Sequence, residues 1–134
     1  MIAIDTNILL RYVVDTRDTV QVARARELVR QECSAASPAL VVDIVLCEFV
    51  WVMRKTLRFK KEQIVEALDH LTRDSLIEFE DRISVLGAFQ SYHEGHADLA
   101  DYLIAAHALR CGADAVVTFD AATSNHSAFR VLDT

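Results

Sequence analysis

Short apolar runs alternate with longer stretches of helical periodicity along this chain. Met1 to Ile4 reads as a strand, Ile8 to Val13 as a first helix and Thr19 to Glu32 as a second. In the second helix Val20, Ala23, Leu28 and Val29 are expected near one face, with arginines on the other. Ser37-Pro38 marks a break before a strand over Ala39 to Val42, and Asp43 is a plausible N-cap for a helix running to about Thr56. Lys60 to Thr72 places Ile64, Val65, Leu68 and Leu71 on one stripe. A strand over Ile77 to Phe79 and a helix over Ile83 to Tyr92 follow. The next helix opens at Asp98 and closes near Gly112, a natural residue just past a helix end. Ala115 to Thr118 reads as a buried strand and Arg130 to Leu132 as a last one. Strands alternating with helices predict an α/β fold with a mostly parallel sheet.

At 134 residues the chain is expected to form a single domain over 1–134. Hydrophobic residues make up 52% and there are only three glycines and one proline, which excludes disordered and collagen-like chains. No run reaches the ~18 apolar residues of a membrane span, and no basic-then-apolar leader opens the chain, so a cytoplasmic protein is expected. Cys33, Cys47 and Cys111 form no C-x-x-C pair and lie in apolar-rich helical patterns, which argues against disulfides and zinc. A net charge of −6 argues against adhesion to nucleic acid by bulk charge alone. It leaves room for an acidic pocket that takes a cation before it tolerates phosphate.

Carboxylates recur where apolar runs end. Ile2-Ala3-Ile4 leads into Asp5, Ile44 to Cys47 into Glu48, and Ala115 to Phe119 into Asp120, while Asp98 and Asp101 head the run Leu99 to Leu109. An unpaired carboxylate is expensive to desolvate, so this repetition points to charge gathered around a cation. Each position also has a bland reading. Asp5 suits a helix N-cap, Asp98 and Asp101 have capping-box spacing, and Asp120 suits a turn. Glu48 stands alone among apolar neighbours from Ile44 to Met53, and the sequence leaves it little exposed face. In a parallel sheet, ligands bind beyond the carboxyl ends of the strands, where Asp5 and Asp120 fall.

Oxygen-only ligands select Mg²⁺ or Mn²⁺. Such an ion can activate water and steady phosphodiester charge, with Thr6, Asn7 and Thr118 available to orient the carboxylates. His70 and His107 read as helix-face residues. His93 and His96 flank a glycine and lack a third ligand. The basic run Arg54, Lys55, Arg58, Lys60 and Lys61 reads first as a solvent-facing helix end. Trp51 fits a core or a partner surface equally.

The blocks Ile2-Ala3-Ile4-Asp5-Thr6-Asn7-Ile8-Leu9, Leu46 to Met53, Ala97 to Ala106 and Val116 to Asp120 resemble, in order and spacing, those of PIN-domain nucleases. They are most similar to the VapC-type toxins of bacterial toxin–antitoxin pairs. The resemblance implies an α/β/α sandwich of three layers around a central, mostly parallel sheet. It matches Asp5, Glu48, Asp101 and Asp120 to the catalytic, metal-holding acids, with Asp98 a frequent additional acid and Thr6, Asn7 and Thr118 at supporting positions. The implied activity is Mg²⁺- or Mn²⁺-dependent endoribonuclease cleavage. The implied partners are an RNA substrate, a second copy in a homodimer and a VapB-type antitoxin, an arginine of which often approaches the acidic pocket. One departure is the segment Ala121 to Ser127, where family members often carry a basic residue.

Other readings fit less well. An aspartate-nucleophile phosphatase needs an aspartate where Asn7 stands, and a phospho-receiver domain needs a late lysine, whereas none follows Lys61. A catalytically silent PIN-like binding module would have little reason to keep the acids. A solitary RNA-processing nuclease differs from a toxin in lacking a neighbouring antitoxin gene.

Overall fold

The computed structural model describes residues 1–133, which fall into two compact units, Met1–Glu80 and a second beginning at Asp81. The first unit contains α1 (Thr6–Val13), α2 (Thr19–Glu32), β1 (Ala39–Val41), α3 (Asp43–Trp51), α4 (Lys61–Arg73) and β2 (Ile77–Phe79). Its strands are parallel, with Ala39 opposite Ile77 and Val41 opposite Phe79. Their buried side chains form the middle of the unit's core. The expected strand at Met1 to Ile4 is reduced to one parallel bridge, Ala3 to Leu40. Two backbone hydrogen bonds hold it, from Ile4 N to Leu40 O at 3.0 Å and from Leu40 N to Ile2 O at 2.8 Å.

Three of these helices start where a side chain satisfies a free N–H group. Asp5 accepts from Ile8 N at 3.0 Å and Asp18 from Gln21 N at 3.0 Å. At the head of α4 the side chain of Gln63 accepts from Lys60 N at 2.8 Å. Tyr12 donates its hydroxyl to Asp74, tying α1 to the end of α4. Burial first, and then the Asp74 carboxylate, push the pKa of that hydroxyl up.

Three expectations for this unit need correction. In α2 the buried face is Val22, Ala25 and Val29, while Val20 and Ala23 are exposed. The face packed toward α1 is the one with the continuous i, i+3, i+7 spacing. Asp43 is the first residue of α3 and Val42 holds the cap position. The run to Thr56 is helical throughout, but Val52–Thr56 widens into a π-turn that buries Met53.

The second unit contains α5 (Arg82–Glu94), α6 (Leu99–Arg110), β3 (Val116–Thr118) and β4 (Phe129–Val131), with a 3₁₀ turn at Ala121–Thr123. α5 and α6 pack on each other. Asp81 caps α5, accepting from Ser84 N at 3.5 Å, and pairs with Arg110 of α6. α5 runs two residues past the expected end at Tyr92, so His93 lies in its last turn. β3 and β4 are parallel, with Val116 opposite Phe129 and Thr118 opposite Val131. β3 is not the buried strand its composition predicts: Val117 is 47% exposed. Cys111 is exposed just past α6, contrary to its reading as a helical hydrophobe, whereas Cys33 is buried. Gly112 takes φ +94°, the left-handed conformation that ends a helix at low cost in glycine.

The fold is therefore α/β with parallel strand pairing, as expected. Among the described residues no helix is long and apolar enough to cross a membrane.

Phe49 of α3 is fully buried and among the largest such side chains. Phe49→Ala is expected to lower the unfolding free energy by about 3–5 kcal/mol, read as a lower urea midpoint at unchanged slope. A change under about 1 kcal/mol would contradict this core assignment.

Candidate active site

The most developed acidic group lies in the second unit, at the head of α6. Here the chain turns sharply between helices. A Cβ at Gly95 would collide with the Tyr102 hydroxyl and the Ser91 carbonyl, so a side chain there has no room. Ala97 N donates to the Tyr102 hydroxyl at 3.2 Å, which fixes the residue before Asp98. Asp98 then stands at the N-cap and is exposed, while Asp101, one turn in, is half-buried. Asp98 N donates to Asp101 Oδ2 at 3.2 Å. Leu99, Tyr102, Leu103 and Ala105 bury the face that sets this geometry.

Asp120 follows β3 as the cap of the 3₁₀ turn. Its Oδ1 accepts from Ala122 N at 2.9 Å, its own N–H donates to Thr118 Oγ1 at 3.0 Å, and its carbonyl accepts from Thr123 Oγ1 at 2.7 Å. Thr118 thus orients the backbone of Asp120. The segment that departs from the family pattern is ordered by His126. Its Nδ1 accepts from Ala128 N at 3.2 Å, so Nε2 carries the proton and meets Ser91 Oγ at 3.3 Å. The His126 ring lies 5.4 Å from Tyr102 and 5.5 Å from Phe129. Sequence reading missed this lock, because nothing local ties Ser91 to a residue 35 positions on.

The carboxylates of this unit feel one another. The pKa of Asp101 is raised, first by burial and then by the charges of Asp98 and Asp120, against the lowering effect of its bond from the Asp98 backbone. A nearby cation would favour the ionised form that burial and these charges disfavour.

The first unit carries the other predicted residues. Asp5 caps α1 through one oxygen, Thr6 and Asn7 open that helix, and the Asn7 carbonyl accepts from Arg11 Nη1 at 3.3 Å. Glu48 corrects its sequence reading: it is exposed, as are Ile44 at 73% and Trp51 at 58%. α3 buries only Val45, Leu46, Phe49 and Val50, so the apolar residues beside Glu48 do not enclose it. Of the basic run, Arg54, Lys55, Arg58 and Lys60 are exposed, as solvent-facing turn residues should be. Beside Asp5, a cleft of about 570 Å³ opens between α1 and α2 and includes Arg11 and Arg24. Sequence reading placed Arg24 with the arginines on the outer face of α2 and did not single out Arg11. Their helical phasing, with Arg11 four after Asn7 and Arg24 three after Gln21, was the available signal.

Among the described residues, no three His, Cys, Asp or Glu side chains are gathered into a finished metal cage. The donor chemistry nevertheless suits a hard cation. Asp5, Asp101 and Asp120 each commit one oxygen to a backbone N–H, which fixes the carboxylate and leaves its second oxygen for another partner.

With this geometry in view, the comparison with known families is specific. The PIN domain family matches residues 2–127, and the chain belongs to that family. Its members share an α/β fold and are usually metal-dependent nucleases. No curated protein matches the chain.

Because the folded pKa of Asp101 lies above its ordinary value of 3.8, the folded state holds this proton more tightly than the unfolded state does. Stability from this group is therefore present at low pH and is lost as pH rises from that ordinary value through the raised folded one. In chelator-treated protein, Asp101→Asn is expected to melt above wild type at neutral pH, with the gap closing as pH falls into the carboxylate range. A gap that is absent at neutral pH, or constant with pH, would refute the shift.

Proposed function

We propose that this protein is a metal-dependent endoribonuclease of the VapC toxin type, acting on RNA in the cytoplasm. The observation that carries this reading is the pair Asp98 and Asp101 joined in one capping box at the head of α6 in a PIN-family chain. Asp5, Glu48, Asp101 and Asp120 are the proposed holders of Mg²⁺ or Mn²⁺, and each offers the oxygen ligands such ions take. When bound, the ion supplies activated water and neutralises charge building on the phosphodiester. The chain's own residues fix the carboxylates: Thr118 holds Asp120 through its backbone, and the head of α6 holds Asp101. Asp98 serves chiefly as the helix cap and keeps negative potential beside Asp101. Hydrolysis adds one water across one P–O bond.

The proposed partners follow from the same reading. An acidic site in a chain of net charge −6 gives a small antitoxin's arginine a target. Homodimer formation is supported by exposed apolar surface, since Ile44 and Trp51 lie on the same side of α3 and have no covering element.

Asp5→Asn and Asp101→Asn are each expected to reduce Mn²⁺-dependent cleavage of total cellular RNA on the order of 100-fold or more, the scale of losing one charge-stabilising group. Circular dichroism should stay unchanged. Wild-type cleavage by both variants would overturn the assignment.

A further inference from the structure

The cleft between α1 and α2 is unlike the rest of this acidic chain. α1 presents Asn7, Ile8 and Arg11 to it, and α2 presents Gln21, Arg24 and Leu28. Each set lies on one helical face, at spacings of one, three, four or seven residues. Asp5 stands at the head of the cleft, and the whole lining belongs to the first unit.

Its two arginines are poised for an anion. The Nε of Arg11 is buried and has no hydrogen-bond partner, although Nη1 of the same group donates to the Asn7 carbonyl at 3.3 Å. A buried donor left unpaired is unfavourable, and an anionic acceptor in the cleft would remove that penalty. On α2, Arg26 pairs with Asp15 at 2.8 Å and Arg30 reaches Glu27 at 3.5 Å. Arg24 makes no such pair among the described residues, and it is the arginine of α2 that lines this cleft. In a chain of net charge −6, acids are plentiful, so an arginine without one beside a buried orphan donor marks a place for an external anion.

The remaining lining defines which anion. Asn7 and Gln21 offer amides that both donate and accept, as base edges require. Ile8 and Leu28 give an apolar surface, and a guanidinium plane can stack on a base as well as bind a phosphate. The volume of about 570 Å³ falls within the ~300–1,000 Å³ range of small-ligand sites. A nucleotide uses all three kinds of group, whereas an acidic peptide uses the guanidiniums and has no need of the amides. We propose that this cleft is a nucleotide subsite, in which Arg11 and Arg24 hold the phosphate of an RNA residue next to the bond cleaved at Asp5. The position next to the cleaved bond rests on the nuclease reading; the binding itself does not.

The test is fluorescence anisotropy of a short, end-labelled single-stranded RNA of mixed sequence with the full chain. Ca²⁺ replaces Mn²⁺, RNA integrity is checked on gels, and cleavage in Mn²⁺ is followed in parallel. Arg24 is exposed, so Arg24→Ala should fold normally. It is expected to weaken binding about tenfold and to reduce the salt slope by about one, as one lost phosphate contact should. Arg24→Lys should keep the slope, and Arg11→Ala should act in the same direction as Arg24→Ala. In cleavage, KM should rise more than kcat falls. Wild-type binding by both alanine variants would overturn the subsite, as would no RNA binding by wild type. It would also be overturned if Arg24→Ala lost affinity for a short poly-glutamate peptide while keeping its affinity for RNA, which would mark a protein-docking groove. RNA binding that depends on Arg24 in a chain that cleaves nothing would sink the nuclease reading and leave the subsite. Cleavage at wild-type rate by both alanine variants would do the reverse.

Discussion

Asp5, Asp101 and Asp120 each give one carboxylate oxygen to a backbone N–H in the first turn of a helix or a 3₁₀ turn. That bond fixes where the acid sits, because the turn that holds it is in turn fixed by buried residues such as Leu9 in α1 and Leu99 in α6. Capping and metal binding are often treated as rival explanations of an aspartate at a helix head. The two are compatible: the cap uses one oxygen and satisfies an orphan donor, which does not by itself use up the oxygen that the proposed metal site requires. The raised pKa of Asp101 expresses the same tension, since burial and the charges of Asp98 and Asp120 disfavour the ionised form while the backbone bond favours it.

The parallel strands explain why the acids recur at such points. Ile4, Val41, Phe79, Thr118 and Val131 each end an extended segment, and an aspartate or glutamate follows within two residues in every case. Chain reversal at a strand's carboxyl end needs short polar residues to cap the element that follows. In parallel sheets, ligands bind beyond the carboxyl ends of the strands. One local need of the fold thus places acids at the strand ends of a PIN-family chain.

Much of this was legible in the sequence, and the failures have common causes. The bounds of α2 and β2 follow directly from periodicity, because caps and breaks punctuate them sharply. Which face of α2 is buried did not follow: alanine and valine occur on both sides, so only packing against α1 selects Val22, Ala25 and Val29. Glu48 failed for the opposite reason. Its helix is apolar all round, which sequence reads as burial, whereas the fold covers one face and leaves Ile44 and Trp51 exposed. Asp101, by contrast, is half-buried one turn inside α6 and takes part in the capping box that its spacing suggested. His126 was invisible as a site residue, because its partner Ser91 lies 35 positions away on another element, whereas Arg11 and Arg24 had only their helical phasing to mark them, and the cleft they share needs two helices to form.

The central claim is that these carboxylates hold a divalent ion. Electron paramagnetic resonance of Mn²⁺ titrated into the purified protein reads this without reference to any RNA. Saturable loss of the free Mn²⁺ signal is expected for wild type, with much weaker loss for Asp101→Asn and for Asp120→Asn. Equal Mn²⁺ uptake by wild type and both variants would contradict it.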